Sequence, residues 1–264
     1  MLNEFEDVLL VIVIVLLSLG SMLVLNKVWP REKRKVHNDL IGWQLGILGT
    51  TYAVILGFML YTVWTDFGAA SANANVEASQ IVKLHRLAAG LPAEQREQMR
   101  ALSLAYADAV LNREWAEMAD GKIGMESSEI SRKMWHVLMS IQSPTWTQIT
   151  SEDHALYELS TLVQSRETRE LEVTSKLPGV LWFVLVIGGV LTIFSACLFG
   201  QDSTLLHGIQ VFSFSLLIAL ALVAIADIDR PFMGTVHVSD AAFRRALLNI
   251  QPEKQSPVSN ENPR

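Results

Sequence analysis

Residues 41–64 read IGWQLGILGTTYAVILGFMLYTVW, a stretch of 24 residues with no charged side chain. As a helix rising about 1.5 Å per residue it is about 36 Å long, enough to cross a hydrocarbon core of about 30 Å with some tilt. Its small residues are not scattered. At about 100° per residue, Gly42, Gly46, Gly49, Ala53 and Gly57 fall within about 80° of one another. In lipid, such a stripe lets a second helix approach backbone to backbone, held by van der Waals packing. Leu48, Ile55, Met59 and Val63 lie on the other side of the wheel. The stretch predicts a transmembrane helix with one face for close protein contact and one purely apolar face.

Upstream, Val8–Leu25 is a second uncharged run, preceded by Glu4, Glu6 and Asp7. A secretory signal carries a basic flank and a shorter apolar core, so this run reads as a retained span. Lys27, Arg31, Lys33, Arg34 and Lys35 follow it, and Asn38 or Asp39 is placed to cap the next helix. Downstream of Trp64 the chain turns polar but stays helical in pattern. No proline interrupts 67–87, alanines recur, and Gly90 then Pro92 end one helix and open the next. A helix over 93–119 is expected, then a loop at 120–128. A short helix capped by Ser127 or Ser128 follows, then a break at Ser143-Pro144 and a helix from about Ser151 toward Lys176. Further spans are predicted at about 180–198 and 209–226, joined by a tight connection at 200–204.

The fold class is therefore an all-α integral membrane protein with four transmembrane helices and a helical domain inserted between the second and third spans. Its expected parts are a first transmembrane hairpin at 1–64, the helical domain at 65–177 and a second hairpin at 178–226. A C-terminal motif with a short helix at 227–250 follows, and a Pro-, Ser- and Asn-rich tail at 251–264 is predicted to be disordered.

Half of the 264 residues are hydrophobic and the net charge is -6, which argues against a nucleic-acid partner. Cys197 is the only cysteine, so no intramolecular disulfide forms. HExxH, GxSxG, the P-loop and GxGxxG are all missing, and Glu152, Asp153 and His154 point in different directions along a first helical turn. No catalytic residue, metal site or cofactor is expected. None of the four predicted spans holds an internal charge or histidine, which argues against proton-coupled transport and leaves a channel or a scaffold.

Four spans place both termini and the helical domain on one side of the bilayer. The 26–40 loop holds five Lys and Arg, whereas the segments near span ends on the opposite side hold six spread over longer stretches. Charge density thus places 26–40 in the cytoplasm and the helical domain on the far side of the membrane; the raw count does not separate the two sides.

Several stretches resemble a known family when taken together. They are GFML at 57–60, Glu77-Ala78 with an L-x-R at 84–86, and Tyr106 followed by Glu114-Trp115. Arg166-x-x-Arg169, Leu177-Pro178 before Trp182, and Asp229-Arg230-Pro231-Phe232-x-Gly234 before Val236-x-Val238-Ser239 complete the set. In order and spacing over about 41–249 they resemble the bestrophin-like family of bacterial four-span membrane proteins. That resemblance implies a distant kinship with bestrophins, oligomeric anion channels whose inserted part and termini are cytosolic. It does not by itself establish channel activity, and its implied orientation is opposite to the one from charge density.

Three groups of residues are singled out. Ile55, Met59 and Val63, at i, i+4 and i+8, are candidate pore-lining side chains by likeness to a bestrophin neck, gating by dewetting; the bland alternative is a lipid-facing stripe. Glu77 lies at a distance from its span that matches Arg166 and Arg169 on the helix entering the next, so an ion pair tying the two is expected to be structural. Asp227, Asp229, Arg230, Pro231, Phe232 and Gly234 form a membrane-exit motif, either a charged mouth with Phe232 at the interface or an ordinary helix end. The leading function is an oligomeric ion channel or pore, with lipid, further copies of the chain and inorganic anions as partners. The competing function is a non-conducting scaffold or sensor whose helical domain binds a partner.

Overall fold

The computed structural model describes residues 4–142 and 145–251, so the Ser143-Pro144 break and the tail from 252 onward lie outside the described residues. Among the described residues every regular element is helical. Four helices among the described residues are long and apolar enough to cross a membrane. The chain divides into two units, one of residues 1–70 and 172–238, the other of 71–171 and 239–264. The short C-terminal helix thus belongs with residues 71–171.

In the first unit, α1 (Glu4–Val28) leads into a five-residue α2 (Arg31–Lys35) and then α3 (Asn38–Leu87). Asn38 does not simply cap its own helix. Its amide donates to the Gly200 carbonyl at 3.0 Å and accepts from the Gly200 N–H at 2.9 Å. Gly200 lies so close to α2 that a Cβ there would come within 2.5 Å of the Lys35 nitrogen. Arg34, read from sequence as one of five loop charges, is fully buried. It donates to the Cys197 carbonyl at 2.8 Å and to the Asn26 side chain, close to the C-terminal ends of two helices, where partial negative charge accumulates. Burial, followed by the nearby Arg31, pushes the Arg34 guanidinium below its usual range.

The second unit holds α4 (Ala93–Ala109), which passes through a π-helical segment (Val110–Glu114) into α5 (Trp115–Ala119), and then α6 (Glu126–Met139). Ser127 is not the cap of α6 but a residue inside it. The last long helix of the insert is α7 (Trp146–Thr174), which starts earlier than its sequence pattern predicts. In the first unit, α8 (Gly179–Cys197) and α9 (Thr204–Ile228) pack against each other and against α1. Finally α10 (Ala241–Ile250) packs on α4 in the second unit. Among the described residues of the first unit, Met22, Cys197 and Val211 form one apolar cluster, and Val63, Leu185 and Ile225 form another.

Within the first unit, tight helix contact comes from Gly188 and Gly189 of α8. The Tyr52 ring packs against them, so a Cβ on Gly188 would sit 2.6 Å from the ring. The Tyr52 hydroxyl donates to the Leu185 carbonyl at 2.8 Å. The stripe of small residues in α3 is used differently. Gly42 faces Phe199, but nothing lies within 4 Å of a Cβ added at Gly46, Gly49 or Gly57, and Ala53 is exposed.

Candidate functional site

The membrane part of α3 has two distinct faces. Ile41, Tyr52, Val63 and Ala70 are buried. Ile55 and Met59 pack against the cluster of Val63, Leu185 and Ile225, alongside Trp182 and Leu222. In the single chain Ile55, Met59 and Val63, which the sequence offers as pore-lining candidates, are turned toward their own bundle. The open face lies on the other side. It carries Thr50, Val54 and Phe58 at i, i+4 and i+8, with Val54 and Phe58 53% and 65% exposed, together with Gly57 and Tyr61. Thr50 donates to the Gly46 carbonyl at 2.7 Å and Thr62 to that of Phe58 at 2.9 Å, so these hydroxyl protons are satisfied on their own helix.

In the second unit, two buried carboxylates converge on one guanidinium. Arg169 Nε donates to Glu77 at 2.8 Å, and its Nη2 donates to Glu77 at 3.1 Å and to Glu114 at 3.0 Å. The Tyr106 hydroxyl donates to Glu77 at 2.7 Å, and the Ser127 N–H and hydroxyl both donate to Glu114, at 2.7 and 2.9 Å. All five residues are buried. Burial acts to lower the Arg169 pKa, but the Glu77 charge and its hydrogen bonds outweigh it, so Arg169 stays protonated. Burial, reinforced by the Glu77 carboxylate, holds the Tyr106 phenol well above its usual range.

The π-helical segment explains how Glu114 reaches this site. Eight regular helical steps from Tyr106 leave Glu114 about 80° round the helix, away from the buried side. One extra residue in a wide turn takes up about 100°, which brings Glu114 back under Tyr106. Sequence reading missed this second carboxylate because it assumed a uniform period; the one available signal was a charged residue beside an apolar run. Arg166 is not part of the network. It pairs with Glu170 on its own helix and with Glu167, so Arg169 alone meets Glu77.

The exit motif is a folded turn. Asp227 accepts from the N–H groups of Thr235 and Val236, both at 2.9 Å, and Gly234 has φ +80°. Asp229 accepts from the Leu177 N–H at 3.0 Å and from Trp182, and burial keeps its carboxyl above the usual range. Pro231 and Phe232 are buried, so Phe232 does not act as an exposed interfacial anchor. The aspartates thus cap backbone ends. A cavity of about 420 Å³ adjoins them, bordered by Thr62, Asp66, Glu172 and Lys176. Among the described residues no group of acidic, histidine or cysteine side chains forms a metal site.

Apolar helices of spanning length, joined to a second all-helical unit through a proline-bounded turn, are those of an all-helical integral membrane protein. The chain matches the bestrophin-like domain over residues 12–243 and belongs to the bestrophin-like family. A solved structure of a variant bestrophin homologue from Klebsiella pneumoniae superposes with a TM-score of 0.68 at 14% identity, covering 91% of this chain and 97% of that one. A second variant of that homologue gives 0.65 at 15% identity over the same shares. A variant described as a membrane protein gives 0.67 at 14% identity, again over 91% and 97%. No curated protein matches the chain.

Proposed function

We propose that the chain assembles with copies of itself in the bacterial inner membrane and forms an ion pathway, with anions as the conducted species. The observation that supports this is the open face of α3. Val54 and Phe58 project bulky apolar side chains away from their own bundle, one turn apart, with Thr50 a further turn away. Repeated around a symmetry axis, two such rings make a constriction that closes by dewetting, while the hydroxyl ring stays wet. Beside that face, Gly46, Gly49, Ala53 and Gly57 offer a neighbouring copy a close backbone approach.

The test is flux of chloride from liposomes holding the purified oligomer. Phe58→Ala is expected to raise the leak and Ile55→Ala to leave it near wild type, because Ile55 packs inside the bundle. Equal flux in wild type and Phe58→Ala, with oligomer size unchanged, would reject the constriction. Absence of any flux in an intact oligomer would favour the scaffold reading instead. Gly49→Leu with Gly57→Leu is expected to reduce the oligomer on size exclusion; an unaltered assembly would remove the small-residue contact. Charge density and kinship to bestrophins predict opposite sides for the inserted region. Lys122→Cys decides between them: labelling of intact cells by an impermeant maleimide puts this region outside.

A further inference from the structure

We propose that the cleft between residues 75–86 of α3 and helix α10 binds a phosphate-bearing anion. The cleft has a volume of about 370 Å³, a size suited to a small organic ligand and far larger than a halide needs. Asn75, Ser79 and Lys83 recur every fourth residue along one side, with Arg86 just beyond, and Arg245 and Asn249 stand four apart on the other. The floor is made of Ala78, Ala242 and Ala246, whose short side chains leave the space open.

The charge balance in the cleft is one-sided. No acidic side chain lines it, although the chain as a whole carries a charge of -6. Lys83 has a counter-ion, Glu158 at 3.3 Å. Arg86 and Arg245 meet no carboxylate among the described residues. Arg245 spends one nitrogen on the Ala241 carbonyl at 3.2 Å, whereas the adjacent Arg244 is paired to Asp240. Two guanidinium forks beside side-chain amides and a hydroxyl match the planar, multi-oxygen edge of a phosphate better than they match a spherical ion. A phosphate group on a soluble compound and one on a lipid headgroup share this chemistry. The inference is independent of ion conduction.

The test uses the full-length protein in phosphatidylcholine nanodiscs, titrated with inorganic pyrophosphate by calorimetry. Saturable binding is expected, weakened about tenfold by Arg86→Ala or Arg245→Ala alone and lost in the double variant. The double lysine variant should bind more weakly than wild type, because charge is kept but the fork is lost. Ala246→Met, which leaves every charge in place and fills the floor, should also weaken binding. A circular dichroism spectrum matching wild type confirms that each variant is folded. A parallel titration in phosphatidylglycerol nanodiscs separates the sources. Heat lost there, with fewer phosphatidylglycerol molecules retained by the double alanine variant, supports a headgroup; heat unchanged supports a soluble phosphate compound. No saturable binding in either lipid, or equal affinity for wild type and the folded double alanine variant, would overturn the proposal.

Discussion

Arg169→Met puts the buried charge network to the most direct test. The change removes three hydrogen bonds to carboxylates, of 2.8, 3.1 and 3.0 Å, and one to the Met118 sulfur from a guanidinium that is 1% exposed. It leaves Glu77 and Glu114, 0% and 1% exposed, without a cation between them. Breaking one buried pair by deleting a partner costs about 3–5 kcal/mol, since the surviving charge remains desolvated. Here two carboxylates are stranded at once, while a domain is stable by only about 5–15 kcal/mol. The loss should lower the melting temperature of the helical unit by more than about 10 °C, followed by circular dichroism on the full chain in detergent. Arg169→Lys, which keeps the charge but not the fork, should fall between the two. A double-mutant cycle with Glu77→Gln isolates the pair itself. A melting shift under about 2 °C for Arg169→Met, or a coupling below about 0.5 kcal/mol, would refute the reasoning.

Three other outcomes follow from the same geometry. Tyr106 has its pKa raised above the ordinary 10.0 in the folded chain, so above about pH 10 the unfolded chain releases that proton first and stability falls as pH rises; Tyr106→Phe should flatten this alkaline decline in melts across pH 8–11, at the cost near neutrality of about 1 kcal/mol for the lost bond to Glu77. Gly234→Ala forces a side chain into a backbone with φ +80° and against the Asp227 carboxylate, which should cost about 1–3 kcal/mol in the same melts. Gly188→Ala pushes a methyl into the Tyr52 ring and should cost about 1–3 kcal/mol, read from resistance to unfolding in SDS.

The second unit was more legible in the sequence than the faces of α3 in the first. In the second unit Met99 and Tyr106, and Leu159 and Leu162, recur at helical spacing, and all four are buried. Glu77 and Arg169 were recognisable because a matched pair at equal distance from two spans is a geometric signal. Glu114 was not, since nothing in a residue string marks the wide turn that rotates it inward. Arg34 was read as a loop charge because burial of a lone guanidinium depends on two distant helix ends meeting, which local sequence does not encode.

The ambiguity over which face of α3 turns inward has a different origin, in the solvent itself. In water, an apolar stripe points inward because the hydrophobic effect separates the two faces. In lipid no such force exists, so Ile55, Met59 and Val63 are equally at home against hydrocarbon or against Leu185 and Ile225. Periodicity then finds the two faces of α3 without saying which is in and which is out. What breaks the tie is shape: Gly188 and Gly189 make a flat bed that accepts the Tyr52 ring, and Tyr52 lies on the same side as Val63. Once that ring is seated, Thr50, Val54 and Phe58 have nowhere to go but outward. The outward direction of Thr50, Val54 and Phe58 is therefore set by a glycine pair on another helix, and a bulky side chain at Gly188 should disturb that outer face as well as the bundle.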